Sequence, residues 1–140
     1  MYLSKNDINK LDRKKKLNLI NSITGIKPAN LIGSVNKNGN TNLAIFSSVI
    51  HLGSFPALIG FIVRPTTEIR RHTYENILEN EKYTINHINS DIIEKSHYTS
   101  VKFEANESEF EMCKLTEEYL EGFEAPFVKE SSLKMGLILK

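Results

Sequence analysis

Between Arg64 and Ile77 the chain reads RPTTEIRRHTYENI, which gathers three arginines, three threonines and a histidine ahead of a short helical pattern. A guanidinium grips a phosphate through two parallel N–H donors, and a threonine hydroxyl adds a neutral one. If a helix begins near His72 or Thr73, its first N–H groups have no partner inside the helix, and the macrodipole leaves partial positive charge there. Anions, phosphates above all, bind such ends. Arg64, Arg70 and Arg71 cannot all point one way, and Arg64, closing an apolar run, is the one best fixed in place. The same residues also suit a solvated basic turn with Thr73 as its cap.

A second stretch with chemical potential is TNLAIFSSVI, Thr41–Ile50. It mixes Asn42, Ala44, Ser47 and Ser48 with apolar residues in what should be a sheet wall. Its backbone and hydroxyl groups could edge a flat heteroaromatic ring, with Ala44 leaving room for it. A plain amphipathic strand with one wet face is the alternative. His51 follows and could face such a ring, whereas His87 and His97 lack the cysteine or carboxylate spacing of a metal site, so no metal is expected. Cys113, the one cysteine, reads as buried filler and excludes an intrachain disulfide. No G-x-G-x-x-G occurs, so a dinucleotide-binding Rossmann unit is not expected.

These groups need elements to hold them. Asn6–Thr24 has apolar residues spaced for an amphipathic helix lying on a larger body, with Arg13–Lys16 on a solvated face. NLIGSV (Asn30–Val35) and Thr41–Ile50 read as strands joined by NKNGN, whose Asn38-Gly39 suits a type I′ hairpin turn. ALIGFIVRP is apolar enough to be a strand buried on both faces or a barrel wall. HTYENILEN reads as a short helix, KYTINHI as a half-buried strand, and DIIEKSHY as a helix capped from Asn89, Ser90 or Asp91. TSVKF, APFVKESS and LKMGLILK read as further strands, and ESEFEMCKLTEEYLEG as helix and loop. Hairpins dominate and no βαβ rhythm appears. The pattern therefore predicts a mainly β fold with helical insertions, built as an antiparallel barrel.

With 140 residues the chain suits one domain spanning 1–140. Its net charge of +1 argues against nucleic acid, so any anion site must be local. The polar N-terminus lacks a signal core and no apolar run reaches membrane length, which makes the cytoplasm the expectation and a membrane none.

Taken together, N-x-A-x-x-S-S, a Pro-led apolar strand, R-H-T-x-x-N-I and Y-T-I-N-H resemble the flavin reductase-like FMN-binding split barrels, which include flavoredoxin-like proteins. The resemblance runs from about Leu17 to Leu139 and is strongest in LNLINSITGIKPANLIG, TNLAIFSSVIHLGSFPALIGFIVRPT, RHTYENI and HYTSVKFEANESEFE. It implies a homodimeric split β-barrel holding FMN non-covalently, with Ala44, Ile45, Phe46, Ser47 and Ser48 lining the ring. Arg64, Thr66 and the His72-Thr73 helix start would hold the phosphate. Relatives commonly carry an acidic residue where His72 stands. The implied activity is NAD(P)H-dependent flavin reduction, with the nicotinamide stacked directly on the flavin and a partner oxygenase or electron-transfer protein downstream. A flavoredoxin-like electron carrier, or a barrel without flavin, is the alternative. Relatives usually continue past LKMGLILK, so the expected barrel is short of strands at its C-terminal side.

Overall fold

The computed structural model describes residues 2–65, 70–104 and 107–140. The chain runs α1 (Lys5–Lys10), α2 (Arg13–Ser22), β1 (Asn30–Val35), β2 (Thr41–Phe46), β3 (Ile50–Ser54), β4 (Ala57–Gly60), α3 (His72–Asn80) and β5 (Lys82–His87). A 3-10 turn at Ser90–Ile92 leads into α4 (Ile93–Tyr98). Then follow α5 (Glu109–Met112), β6 (Glu117–Glu118), β7 (Phe127–Val128) and β8 (Lys134–Ile138). Every described strand pairing is antiparallel, as expected. The central sheet has the order β2-β1-β5-β8, and β3-β4 and β6-β7 are separate hairpins, so the described strands do not close into a barrel.

Strand alternation divides the interior in two. On one face of the central sheet, Leu31 and Leu43 join Ile92, Phe110, Cys113, Leu115 and Val128, under the layer made by α4, α5 and β6-β7. Cys113 is thus core filler, and burial, aided by the charge of Glu109, pushes its thiol pKa up. On the other face, Ile32, Ile85 and Tyr83 pack with Ile77 of α3, joined by Phe46, Ile59 and Phe61. Gly33 is where the first layer comes closest: a Cβ there would collide with the Pro126 carbonyl and sit 2.6 Å from Thr84 Oγ1.

Five expectations need correction. The loop between β1 and β2 is not a type I′ turn, which needs positive φ at both central residues. It has five residues, positive φ falls on Gly39 (+84°) and not on Asn38, and the Asn36 carboxamide oxygen accepts from the N–H groups of Asn38 and Asn40 at 2.9 Å each. Strand β2 stops at Phe46, because Ser47–Val49 turn the chain into the β3-β4 hairpin. The apolar run after Pro56 is not buried on both faces: β4 covers only four residues and, among the described strands, pairs with β3 alone, and while Ile59 and Phe61 pack on the core, Leu58 is 36% and Ile62 68% exposed. TSVKF is no strand either, since Val101 N–H and the Thr99 hydroxyl bond back to Tyr98 and Ser96 carbonyls and wrap the end of α4. Finally, the N-terminal helix is two. Asp12 caps α2 by accepting from Lys14 and Lys15 N–H, Ser4 and Asp7 form a capping box on α1, and neither helix buries a residue.

Candidate functional site

The helix α3 crosses the sheet face that carries Ile32, Ser34, Asn42, Ala44 and Phe46. Two buried side-chain bonds fix it there: Asn42 Nδ2 donates to Thr73 Oγ1 at 2.9 Å, and Asn76 Nδ2 donates to Ser34 Oγ at 3.2 Å. The residue capping the helix is Arg71, in a non-helical conformation with no side-chain cap bond. Thr73 is therefore inside the first turn, and among the described residues the first-turn N–H groups have no side-chain acceptor. Arg71 Nε is buried and has no partner among the described residues. An uncapped helix start beside an unpartnered buried donor is chemistry suited to an anion.

The three arginines separate as geometry requires. Arg70 is committed to Glu75, with Nε–Oε1 at 3.1 Å and Nη2–Oε2 at 2.5 Å, and that fork holds the Glu75 carboxyl below its ordinary value. Arg64 is exposed four residues past β4. Its segment is tied to the end of β2 by Ser48, whose hydroxyl donates to Ile62 O and accepts from Ile62 N, both at 3.1 Å. Phe46 and Phe61 reinforce the tie edge to face at 5.1 Å, and Phe61 does the same with Tyr83 at 5.6 Å.

Of the residues expected to line a ring, Ala44 and Phe46 share the α3 face of β2, while Ile45 points through the sheet and packs against the opposite core. Ser47 is exposed in the connection, and Ser48 serves as the clamp just described. His72 is half-buried at the rim of a polar cleft of about 530 Å³ between α3 and the β1–β2 loop, together with Asn36, Asn42, Glu75 and Glu107. Thr66 lies outside the described residues. Sequence reasoning missed the pairing of Asn42 with Thr73 and the Ser48 clamp. Both residues stood in the quoted motifs, but the partner of a polar side chain cannot be read from spacing.

Two neighbouring features complete the geometry. Just beyond Ser48 opens a mostly apolar groove of about 320 Å³, bounded by Pro28, Val49, Ile50, Ile59 and Met135, with His51 and His87 at its edge. His51 Nε2 lies 3.1 Å from Ser54 Oγ. Across the sheet, the buried Glu109 carboxylate accepts the Leu43 N–H at 3.0 Å, which satisfies an edge-strand donor. Burial raises the pKa of Glu109 against the pull of that bond and of the nearby His72. Among the described residues no group of three or more His, Cys, Asp or Glu could hold a metal, and no helix is long and apolar enough to cross a membrane.

The fold recurs in solved structures. A split-barrel protein assigned as a flavin reductase, from Shewanella frigidimarina, is 52% identical with a TM-score of 0.93, the match covering 99% of this chain and 68% of that one. Component B of nitrilotriacetate monooxygenase from Bacillus cereus is 25% identical with a TM-score of 0.85, covering 100% and 68%. Flavoredoxin of Desulfovibrio vulgaris shares the fold at 24% identity and a TM-score of 0.72, covering 81% and 60%. No protein of curated function matches the sequence significantly. The family model for the flavin reductase like domain matches residues 26–137, the stretch that holds the sheet, α3 and the β2 end, and on that match the chain belongs to the flavin reductase-like domain family.

Proposed function

We propose that this chain binds FMN without a covalent link and works as an NAD(P)H-dependent flavin reductase. The observation that carries the reading is a convergence on one sheet face. The uncapped start of α3, with Arg71 and its unpartnered Nε adjoining it, is docked on Asn42 of β2, and Ala44 and Phe46 continue the same face of that strand, in a chain of this family. Arg64, Thr66, Arg71 and the first-turn N–H groups of α3 would hold the phosphate, with His72 at the rim of the neighbouring cleft. Thr73 contributes by locking α3 onto Asn42. Ala44 leaves space for the ring, Phe46 and Ser47 border it, Ile45 contributes backbone only, and Ser48 keeps Arg64 in reach. FMN, when bound, supplies an N5 that accepts hydride and passes electrons on, and the protein supplies position and electrostatics. No general acid or base is assigned. The groove past Ser48 has the size and apolar lining for a nicotinamide ring.

The exposed apolar β3-β4 hairpin supports a homodimer. Likeness to a monooxygenase component supports a partner oxygenase as the consumer of reduced flavin. The test begins with the visible spectrum of the purified protein and titration with FMN and with riboflavin, followed by flavin fluorescence. Saturable binding of FMN well ahead of riboflavin, and then rapid NADH or NADPH oxidation in its presence, is expected. Flavin binding without pyridine-nucleotide oxidation would favour an electron carrier of the flavoredoxin kind. Failure to bind either flavin at high protein concentration would sink the proposal.

A further inference from the structure

The segment before β1 is unlike the rest of the molecule. Among the described residues, every side-chain hydrogen bond and ion pair made by residues 2–28 stays within that segment. Its helices bury nothing: Leu17 and Ile20 are about half exposed, Ile23 is 67% exposed and Ile26 fully so. Apolar residues spaced three apart on a helix make a stripe that normally lies on a partner. Here that stripe adjoins Arg13-Lys14-Lys15-Lys16.

Charge says what the partner should be. Residues 1–28 carry seven Lys or Arg against two Asp, a net of +5, so the remainder of this +1 chain carries −4. The negative charge is concentrated in residues 91–130, with eleven carboxylates against four lysines. That stretch forms the layer on the face of the sheet away from α3, and it exposes Ile93, Tyr98, Met112 and Tyr119 among its acids. A cationic helix with an apolar stripe and an acidic layer with exposed apolar residues are thus complementary in both respects, yet among the described residues no side-chain hydrogen bond or ion pair of one chain joins them. A second copy would supply the missing half. Two arms exchanged about a two-fold axis would make each contact twice. An anionic lipid surface fits less well, because the −4 body would be repelled from it and α2 interrupts its stripe with Asn18, Asn21 and Ser22.

We infer that residues 2–28 form an exchange arm that docks, through Lys14–Lys16 and the Leu17/Ile20/Ile23 stripe, on the acidic α4/α5/β6 layer of a second copy of this chain. The inference does not rest on flavin binding, since arm and layer are separate from the α3 face. It is tested on the full chain by mixing ¹⁵N-labelled and unlabelled protein, applying a zero-length carbodiimide cross-linker, and mapping the linked peptides. Links of mixed isotope between Lys14–Lys16 and carboxylates of the 91–130 layer, such as Glu111 or Glu121, are expected. The variant Lys14→Glu/Lys15→Glu/Lys16→Glu should lose these links and weaken self-association at least tenfold in sedimentation at low salt. Adding Glu111→Lys and Glu121→Lys should recover part of that loss. All five side chains are solvent-facing or rim positions, so folding should persist, with circular dichroism as the check. Links confined to single-isotope chains would mean that the arm folds on its own body and would overturn the inference. So would unchanged association in the triple variant, or capture by phosphatidylserine vesicles without mixed-isotope links.

Discussion

Arg70 is held by Glu75, so the proposed phosphate seat rests on Arg64 and Arg71. Of these, Arg64 is the better test, because its side chain is exposed and its removal leaves no cavity. Arg64→Ala should weaken FMN binding by about 1.5–3 kcal/mol, the scale of a hydrogen bond to a charged group. Riboflavin, which lacks the phosphate, should bind as before, and equal losses for both flavins in parallel titrations would remove Arg64 from the phosphate seat. Glu109 offers a second residue-level prediction. Burial lifts its folded pKa above the ordinary 4.5, so the folded protein holds that proton more tightly than the unfolded chain does. Stability is then favoured at and below pH 4.5 and declines as pH rises through the folded value. Glu109→Gln keeps an acceptor for the Leu43 N–H and abolishes the titration. Relative to wild type, the variant should gain stability between pH 4.5 and pH 8 in urea unfolding, and a change of the opposite sign would refute the assignment.

At the scale of elements, the position of α3 depends on two buried polar pairs, and these set where its N-terminus points. Thr73→Val would leave Asn42 Nδ2 buried without its acceptor, a cost of about 1–3 kcal/mol, whereas Thr73→Ser should be close to neutral. Chemical denaturation of the two variants separates a hydroxyl effect from a packing effect; equal losses would mean that the Asn42 bond contributes nothing. Gly33→Ala should be more damaging, since the new methyl meets the backbone of Pro126 and cannot displace it cheaply. Thermal unfolding should show a large fall in Tm, and an unchanged Tm would mean that β7 yields. Strand β1, strand β5 and helix α3 were legible in the sequence because their periodicity and their end residues agree. The run from Ala57 to Val63 was not, because an apolar strand reads as buried whether its cover is this chain or another one. The basic turn suggests an anion seat from its residue types alone, but spacing could not show that Thr73 Oγ1 accepts from Asn42, because that partner lies 31 residues away on β2.

On the scale of the whole molecule, a net charge of +1 conceals a +5 arm and a −4 body, and an ordinary apolar content conceals a hairpin with its hydrophobic side outward. Ile50, Leu52, Phe55 and Ile62 together make an apolar surface beside the groove at Ser48, and one chain leaves it uncovered. Covering it with the same surface of a second copy gives an isologous interface, in which each buried side chain counts twice. Phe55 is the most exposed of the four at 101%. Burying two copies of it is worth roughly 3–6 kcal/mol per dimer at about 1.5–3 kcal/mol for each large apolar side chain. Phe55→Glu should therefore raise the dimer dissociation constant at least a hundredfold in sedimentation equilibrium, while the urea midpoint of the dilute monomer stays within error because the ring touches little within its own chain. High salt should not rescue association in this variant, which separates the hairpin contact from the screened, charge-driven docking of the arm. If Phe55→Glu leaves the dissociation constant unchanged, the apolar hairpin faces something other than its own copy.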